Sequence, residues 1–450
     1  MNFKDLKHIY FIGIGGIGMS ALAKYFAVSG FKVAGYDRTP SAITKSLEEI
    51  GVAIHFTDNV KEIPKNFLNK ADTLVVYTPA IPKNHKEYNY FINNKFSVFK
   101  RAQLLGLITK NTFSFAVAGT HGKTTTSSIL GHILHESGLN ATSFLGGIAE
   151  NYNSNLIQGG NKISVVEADE FDRSFLQLSP DIACITSMDA DHLDIYGEAA
   201  ALVQSFNDFA AKVKDKLFVR YRLPMDGITY GFEDDADYRA FNLKVENGAY
   251  VFDVATPVET YKNIRLNLAG KHNVLNTLVA LAMANSYGVP LPTIAKALLT
   301  FKGVKRRFTY KIKTDDFVLI DDYAHHPTEI DAVANAVKEM YPDRENLVVF
   351  QPHLFSRTKD FADDFADSLS KFDQVILLEI YPAREEPVKG VNSKWLLSKI
   401  ANENKQLISK KDVMPAIIQS KKRVVLMLGA GDIGVLIEEV AKSLKEKIDV

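Results

Sequence analysis

The chain has 450 residues, 46% of them apolar and 24% charged, with 53 basic and 53 acidic side chains. Ordinary apolar content excludes wholesale disorder and fibrous structure, and balanced charge excludes a dedicated nucleic-acid coat, so no nucleic-acid partner is expected. A single cysteine, Cys184, permits no intramolecular disulfide, no apolar run is long enough to span a membrane, and the start lacks a signal-peptide core, so a cytoplasmic protein is expected.

At about 150 residues per domain, the length predicts roughly three domains. The first hundred residues alternate short apolar runs with helical stretches. A strand is expected over Ile9–Ile14, a helix over Gly18–Ser29, and further strands over Lys32–Tyr36 and Thr73–Tyr77. That rhythm implies a parallel sheet covered on both faces. A second unit opens with a strand over Phe113–Ala118 and continues with strands at Ile163–Glu167 and Ile182–Ser187. Residues 215–268 are more polar, and the alternation Tyr250-Val251-Phe252-Asp253-Val254 suits antiparallel strands. Helices follow over Asn273–Ser286 and Pro292–Leu299. A third unit begins near Phe301-Lys302-Gly303, with strands at Phe317–Asp321, Leu347–Gln351, Val375–Glu379 and Val424–Leu428. The expected domains are 1–108, 109–302 and 303–450, each α/β.

Gly13-Ile14-Gly15-Gly16-Ile17-Gly18 follows the first strand and opens a helix. Its glycines let backbone N–H groups approach a diphosphate at the helix N-terminus, and Asp37, ending the next strand, can reach a ribose hydroxyl. The geometry recognises a diphosphate and leaves a nicotinamide dinucleotide and another nucleotide diphosphate both open. Val117-Ala118-Gly119-Thr120-His121-Gly122-Lys123-Thr124-Thr125-Thr126 is the strongest signal. Its amides would cradle β- and γ-phosphates, Lys123 would neutralise their charge, and the Thr124 hydroxyl would ligate Mg²⁺. Val117 replaces the glycine of the standard motif, so this is a short form of that loop. Glu167-Ala168-Asp169-Glu170-Phe171-Asp172 sets four carboxylates at a strand end, a natural Mg²⁺ site facing the phosphate loop.

Asp189-Ala190-Asp191-His192-Leu193-Asp194 follows another strand, and His192 is read as a second metal ligand or a hydrogen-bonding group. In Gly270-Lys271-His272-Asn273-Val274-Leu275-Asn276, Asn276 lies inside an apolar helix and needs a polar partner, which an adenine edge would supply. The third unit carries Lys305-Arg306-Arg307, Asp321-Asp322-Tyr323-Ala324-His325-His326 and Gln351-Pro352-His353-Leu354-Phe355-Ser356-Arg357. The last two follow strands, where doubly wound sheets bind ligands. Gly429-Ala430-Gly431-Asp432-Ile433-Gly434 is read as a tight turn bordering that crevice.

In this order, GIGGIGMSALA, GTHGKTTT, EADE, DADHLDIYG, GKHNVLN, GVKRRF, DDYAHHPTEI, FQPH, YPAREEP and GAGDIG resemble the Mur ligase family across essentially the whole chain. The resemblance implies an N-terminal Rossmann-like domain, a central P-loop ATPase-like domain and a C-terminal Rossmann-like domain. The implied activity is ATP-dependent ligation of L-alanine to UDP-N-acetylmuramic acid through an acyl phosphate, in peptidoglycan precursor synthesis. Attachment of a preformed tripeptide to the same UDP-sugar, a recycling reaction, is the alternative. Carried over by position, Gly13, Gly15, Gly16, Ile17, Gly18, Met19, Ser20 and Asp37 would hold the UDP-sugar. Gly119, Thr120, His121, Gly122, Lys123, Thr124, Thr125, Asn276, Arg307 and Asp322 would hold ATP. Thr124, Glu167 and His192 would ligate Mg²⁺, and Tyr323, His325 and Arg357 would bind the amino acid. Lys123, Glu167, His192, His325 and Arg357 would form the catalytic set, completed by domain closure. Leu354 stands where the best-known members carry an arginine, which shifts carboxylate recognition toward Arg357, and Phe171 replaces a small polar residue. Oligomeric state is not legible.

Overall fold

The computed structural model describes residues 6–189, 199–383 and 385–448. The chain divides into two compact units, one of Met1–Phe241, Asp253–Ile264 and Leu275–Lys302, the other of Asn242–Phe252, Arg265–Val274 and Gly303–Val450.

The first unit opens with five parallel strands, β1 (His8–Ile12), β2 (Lys32–Tyr36), β3 (Ala53–His55), β4 (Thr73–Tyr77) and β5 (Ser97–Lys100). Their order is β3-β2-β1-β4-β5. The order reverses beside β1, which opens a crevice at the carboxyl ends of β1 and β4. Ile9 to Ile12 are wholly buried, as expected of a strand covered on both faces. The strand stops at Ile12, two residues short of the sequence expectation, because Gly13 takes a φ of +84°. A side chain there would also meet Thr78 Cγ2 at 2.5 Å, so glycine is required twice over. The helix Ile17–Val28 then starts on Gly16 as its N-cap.

A further sheet has ten strands: β6 (Phe113–Ala118), β7 (Thr142–Ala149), β8 (Ser154–Ile157), β9 (Ile163–Glu167), β10 (Ile182–Ile185), β11 (Lys216–Arg220), β12 (Ile228–Gly231), β13 (Tyr238–Glu246), β14 (Ala249–Ala255) and β15 (Thr260–Leu266). Their order is β15-β14-β13-β12-β11-β10-β6-β9-β7-β8. Strand β6 lies between β9 and β10 and is parallel to both, with Val117 level with Glu167 and Ala118 level with Ile185. Three carboxyl ends therefore converge.

Strands β10 to β13 also pair in parallel, which corrects the expectation of antiparallel structure throughout residues 215–268. Consecutive burial of Phe218 and Val219 marks β11 as covered on both faces, and alternation is confined to the later strands. The turn Asn247-Gly248, with φ of +51° and +70°, joins β13 to β14 as a two-residue hairpin turn.

Within the first unit, the helix Ile17–Val28 ties the five-stranded sheet to β7 and β8. Asn155 Nδ2 donates to the Ile17 carbonyl at 2.5 Å and to Ser20 Oγ at 2.8 Å, and Lys24 Nζ donates to Ser154 Oγ at 3.0 Å. Tyr25 meets Phe144 edge to face at 5.2 Å. After β9 the chain makes a short helical segment, Phe171–Gln177, anchored by wholly buried Phe175. That ring stacks on Phe209 at 5.0 Å and meets Phe206 edge-on at 5.4 Å.

The second unit holds β16 (Thr309–Lys313), β17 (Val318–Asp322), β18 (Asn346–Phe350), β19 (Gln374–Leu377), β20 (Lys405–Leu407) and β21 (Val424–Leu428), in the order β16-β17-β21-β18-β19-β20. Only β16 runs antiparallel, as an edge strand.

Phe175→Ala removes the ring that holds down the segment after the acidic cluster. We expect a loss of about 3–5 kcal/mol of unfolding free energy, read from the denaturant midpoint. A loss within about 0.5 kcal/mol would show that the site can collapse without the ring.

Candidate active site

The phosphate loop, residues 119–122, leaves β6 and enters the helix Lys123–Glu136. Gly119 and Gly122 take φ of +129° and +83°. A side chain at Gly119 would meet Thr186 Oγ1 at 2.1 Å, and one at Gly122 would meet Asn276 Oδ1 at 2.5 Å. Asn276, buried within an apolar helix, thus packs its amide against the loop. From the end of β10, Ser187 Oγ accepts the His121 N–H at 2.8 Å and lies 2.8 Å from Thr120 Oγ1. Thr186 Oγ1 donates to the His121 carbonyl at 2.5 Å. His121 Nε2 lies 3.5 Å from Asp189 Oδ2. Thr125 is buried in the helix's first turn.

Strand β9 supplies the acid. The Thr124 hydroxyl stands 3.0 Å from each oxygen of Glu167, and the Gly146 N–H donates to Glu167 Oε2 at 2.9 Å. Lys123 Nζ donates to the Gly119 carbonyl at 2.7 Å and to Glu170 Oε1 at 2.9 Å. Burial opposes the charge on Lys123, but Glu170, Asp169 and Glu167 outweigh it and raise its pKa. Burial raises the carboxyl of Glu167, against the pull of Lys123.

Thr124 and Glu167 thus form a hard-oxygen pair at the phosphate loop. Among the described residues no three His, Cys, Asp or Glu side chains form a metal cage. Two protein oxygens completed by phosphate and water suit Mg²⁺ better than Zn²⁺. His192 lies outside the described residues.

In the amino-terminal sheet, Asp37 Oδ2 accepts the Gly15 N–H at 2.7 Å and Oδ1 accepts the Thr39 N–H at 3.2 Å. The carboxylate therefore shapes the glycine loop. Met19 and Ser20 are buried, and Ser20 is held by Asn155 and by Ile17. A cavity of about 320 Å³ runs from Gly16, Ile17, Gly18 and Met19 to Glu167 and Asp169. Arg101 lines it and was missed by sequence reasoning. Its Nη2 donates to Asp169 Oδ2 at 3.2 Å, and its Nη1 would lie 2.7 Å from a side chain at Gly18. An arginine opening a helix carries no motif that would have singled it out. Thr186, Ser187 and Gly146 escaped for a related reason, since only strand register brings them to the loop.

In the second unit, Asp322 at the end of β17 is buried. Its oxygens accept the Phe308 and Ala324 N–H groups, each at 2.7 Å. Burial pushes its pKa up to about 6, with Arg307 and those amides pulling the other way. Asp322 thereby fixes the turn carrying Tyr323 and His325 instead of projecting outward. His325 Nδ1 lies 3.0 Å from the Tyr323 carbonyl and 3.1 Å from Glu329 Oε2. Arg307 Nη1 lies 3.4 Å from Glu329 Oε1 and its guanidinium 5.5 Å from the Tyr323 ring centroid. The His325 ring centroid is 6.1 Å from that of His353, which stacks on Tyr381 at 5.7 Å. Arg357 lies half-buried in the helix Phe355–Asp360, whose N-cap is Leu354 at a φ of +71°. Gly434 lies against Arg306, where a side chain would stand 2.5 Å from the guanidinium carbon.

The chain matches the Mur ligase family, catalytic domain, over residues 8–112, the Mur ligase middle domain over 117–284, and the Mur ligase, glutamate ligase domain over 306–433. It is 60% identical over 449 residues to a UDP-N-acetylmuramate–L-alanine ligase of Flavobacterium psychrophilum, covering 99% of this chain and 100% of that one. It is 58% identical over 450 residues to the same-named protein of Flavobacterium johnsoniae, with 100% coverage of both. Among solved structures, the UDP-N-acetylmuramate-alanine ligase of Thermotoga maritima superposes with a TM-score of 0.83 at 27% identity, over 98% of this chain and 99% of that one. A murein peptide ligase of Psychrobacter arcticus, 24% identical over 97% and 98% of the two chains, shares the fold at a TM-score of 0.71.

A methyl at position 146 would stand 2.3 Å from Glu167 Oε2, so Gly146→Ala should displace that carboxylate. Divalent-cation affinity of the nucleotide-loaded protein should fall about 10- to 100-fold, measured by calorimetry. Unchanged affinity would separate Glu167 from the cation.

Proposed function

The chain belongs to the Mur ligase family, and we infer from that premise that it joins L-alanine to the carboxylate of UDP-N-acetylmuramic acid, with ATP converted to ADP and phosphate. It is an ATP-dependent ligase of peptidoglycan precursor synthesis. Full-length identity of 58–60% to L-alanine ligases favours this substrate over the tripeptide of the recycling reaction. Among the described residues no helix is long and apolar enough to cross a membrane.

One observation carries the mechanism: a single cavity joins the first glycine loop to Glu167 and Asp169 beside the phosphate loop. A UDP-sugar on Gly13–Gly18, gripped by backbone N–H groups and the helix N-terminus, would lie along that cavity with its carboxylate toward the γ-phosphate. A carboxylate resists attack by an amine because its oxygens are poor leaving groups. Its oxygen attacks the γ-phosphorus, the bond to ADP breaks, and an acyl phosphate results. The amine of L-alanine then adds to the carbonyl carbon and loses a proton, and phosphate leaves from the tetrahedral intermediate.

Lys123 would turn from Glu170 to the β/γ-phosphate oxygens, and the amides of residues 119–125 would cradle them. Mg²⁺, when held by Thr124 and Glu167, supplies further charge neutralisation at those oxygens. Asn276, packed on Gly122, contacts the nucleotide, and Arg101 neutralises charge between the glycine loop and Asp169. His192 is assigned by position in its motif alone, as a second group for the metal or the acyl phosphate. In the second unit, Asp322 fixes the turn that carries Tyr323 and His325; by their motifs, Arg307 is assigned to phosphate, Tyr323 and His325 to the amino acid, and Arg357 to its carboxylate.

Phosphate release from ATP, Mg²⁺ and UDP-N-acetylmuramic acid should require L-alanine. Release with the tripeptide alone would overturn the substrate assignment. Lys123→Ala should lower turnover by about 100- to 1000-fold with the protein still folded, and retained activity would remove Lys123 from the phosphate site. Arg357→Ala should raise the KM for L-alanine at least about tenfold while the KM for ATP holds, as expected on losing one charge-assisted contact. An unchanged alanine KM would move the carboxylate site elsewhere.

A further inference from the structure

Beneath the amino-terminal sheet lies a buried polar cluster that the ligation chemistry does not use. Tyr10 of β1 and Glu87 of the helix Lys86–Asn93 are both wholly buried. The Tyr10 hydroxyl stands 2.7 Å from Glu87 Oε2 and 2.8 Å from Nε2 of His55, the last residue of β3. His55 Nδ1 lies 3.0 Å from the Thr57 carbonyl, and Glu87 Oε1 accepts the Asn59 N–H at 3.2 Å. The other titratable groups facing the cluster are Tyr36 of β2, Asp58 of the loop after β3, Glu62 of the short helix Val60–Glu62, and His85 at the N-cap of the helix Lys86–Asn93.

Donor accounting sets the number of protons. A carbonyl can only accept, so His55 Nδ1 carries hydrogen. Tyr10 has one proton to give and two neighbours that otherwise only accept. With Glu87 ionised and His55 neutral, one of the two short contacts would place lone pair against lone pair in a buried site. One further proton satisfies both contacts. On Glu87 it makes the chain carboxyl to Tyr10 to His55. On His55 it makes the reverse chain, imidazolium to Tyr10 to carboxylate, with Nε2 also 3.4 Å from Glu87 Oε1. Two further protons leave a buried positive charge and a hydroxyl hydrogen without an acceptor. Burial pushes the carboxyl of Glu87 up to about 7 and lowers the pKa of His55, which puts the proton on Glu87.

The cluster is wired to the first glycine loop. The His55 carbonyl accepts the Asp37 N–H at 3.1 Å, and Asp37 in turn holds the Gly15 N–H. Asp58 accepts the N–H groups of Lys86 and Glu87, which fastens the end of β3 to the helix below. We propose that Glu87, Tyr10 and His55 share one proton, and that this protonated triad is a positioning device that holds Asp37 and the glycine loop in shape for the UDP-sugar. The proposal rests on the reading of Gly13–Gly18 as the UDP-sugar loop.

The sign follows from the raised carboxyl. Its stabilising contribution is present at low pH and is lost as pH rises through about 7. The KM for the UDP-sugar should therefore rise roughly fivefold between about pH 6 and about pH 9, with kcat not sharing that rise. Glu87→Gln carries a permanent N–H donor where the protonated oxygen stood, so its KM should lose this pH dependence. A parallel infrared difference spectrum, parent minus E87Q near pH 6, should show the C=O stretch of a protonated carboxyl. A flat KM in the parent, the same slope in E87Q, or no protonated carboxyl band would each overturn the proposal. Absence of UDP-sugar turnover at every pH would instead overturn the substrate assignment, and the infrared band would still decide the triad.

Discussion

Strand β6, paired in parallel on both sides, ends level with β9 and β10, and the proposed nucleotide site depends on that constraint. β6 delivers Lys123 and Thr124, β9 delivers Glu167 with Asp169 and Glu170 after it, and β10 delivers Thr186 and Ser187. No segment alone makes a site. The register makes it, with Gly119 and Gly122 allowing the three strand ends to touch. The same register concentrates negative charge beside one half-buried lysine, and that lysine stays charged because of its neighbours.

Much of this was legible in the sequence, and what was not has a physical cause. The strands Lys32–Tyr36, Thr73–Tyr77, Phe113–Ala118, Ile163–Glu167 and Val424–Leu428 were readable to the residue, since doubly covered parallel strands are continuous apolar runs between turn signals. The end of β1 was misplaced because Ile14 prolongs the apolar run past Gly13, whose positive φ turns the chain. Strands β11 and β12 were taken for part of an antiparallel region because their polar surroundings masked short apolar runs.

Among site residues, the phosphate loop and Glu167 announced themselves as local motifs. Arg101, Gly146, Thr186 and Ser187 did not, because their roles come from pairing between distant segments. Asp37 and Asp322 show the converse. Both were singled out as ligand contacts, and both spend their oxygens on backbone amides at strand ends. Acidic residues at such positions serve the turn as readily as the ligand, and the sequence cannot separate those uses. Leu354 is a related case. A leucine at a φ of +71° is an uncommon conformation for a branched side chain, and nothing in its local sequence announces that turn.

The hydrogen bonds that fasten the helix Ile17–Val28 to β8 also bear on the timing of the reaction. Through Asn155, Ser154 and Lys24, the amino-terminal glycine loop and the phosphate loop share one packed body. Two reactants seated on that one body, as the proposed function has them, no longer search for one another. The translational and rotational freedom they would lose at the moment of phosphoryl transfer is surrendered on binding, against a geometry already set when the chain folded. On that reading the body behaves as a fixed, high local concentration of one reactant around the other, and a substitution at Asn155, which holds Ile17 and Ser20, acts on that concentration.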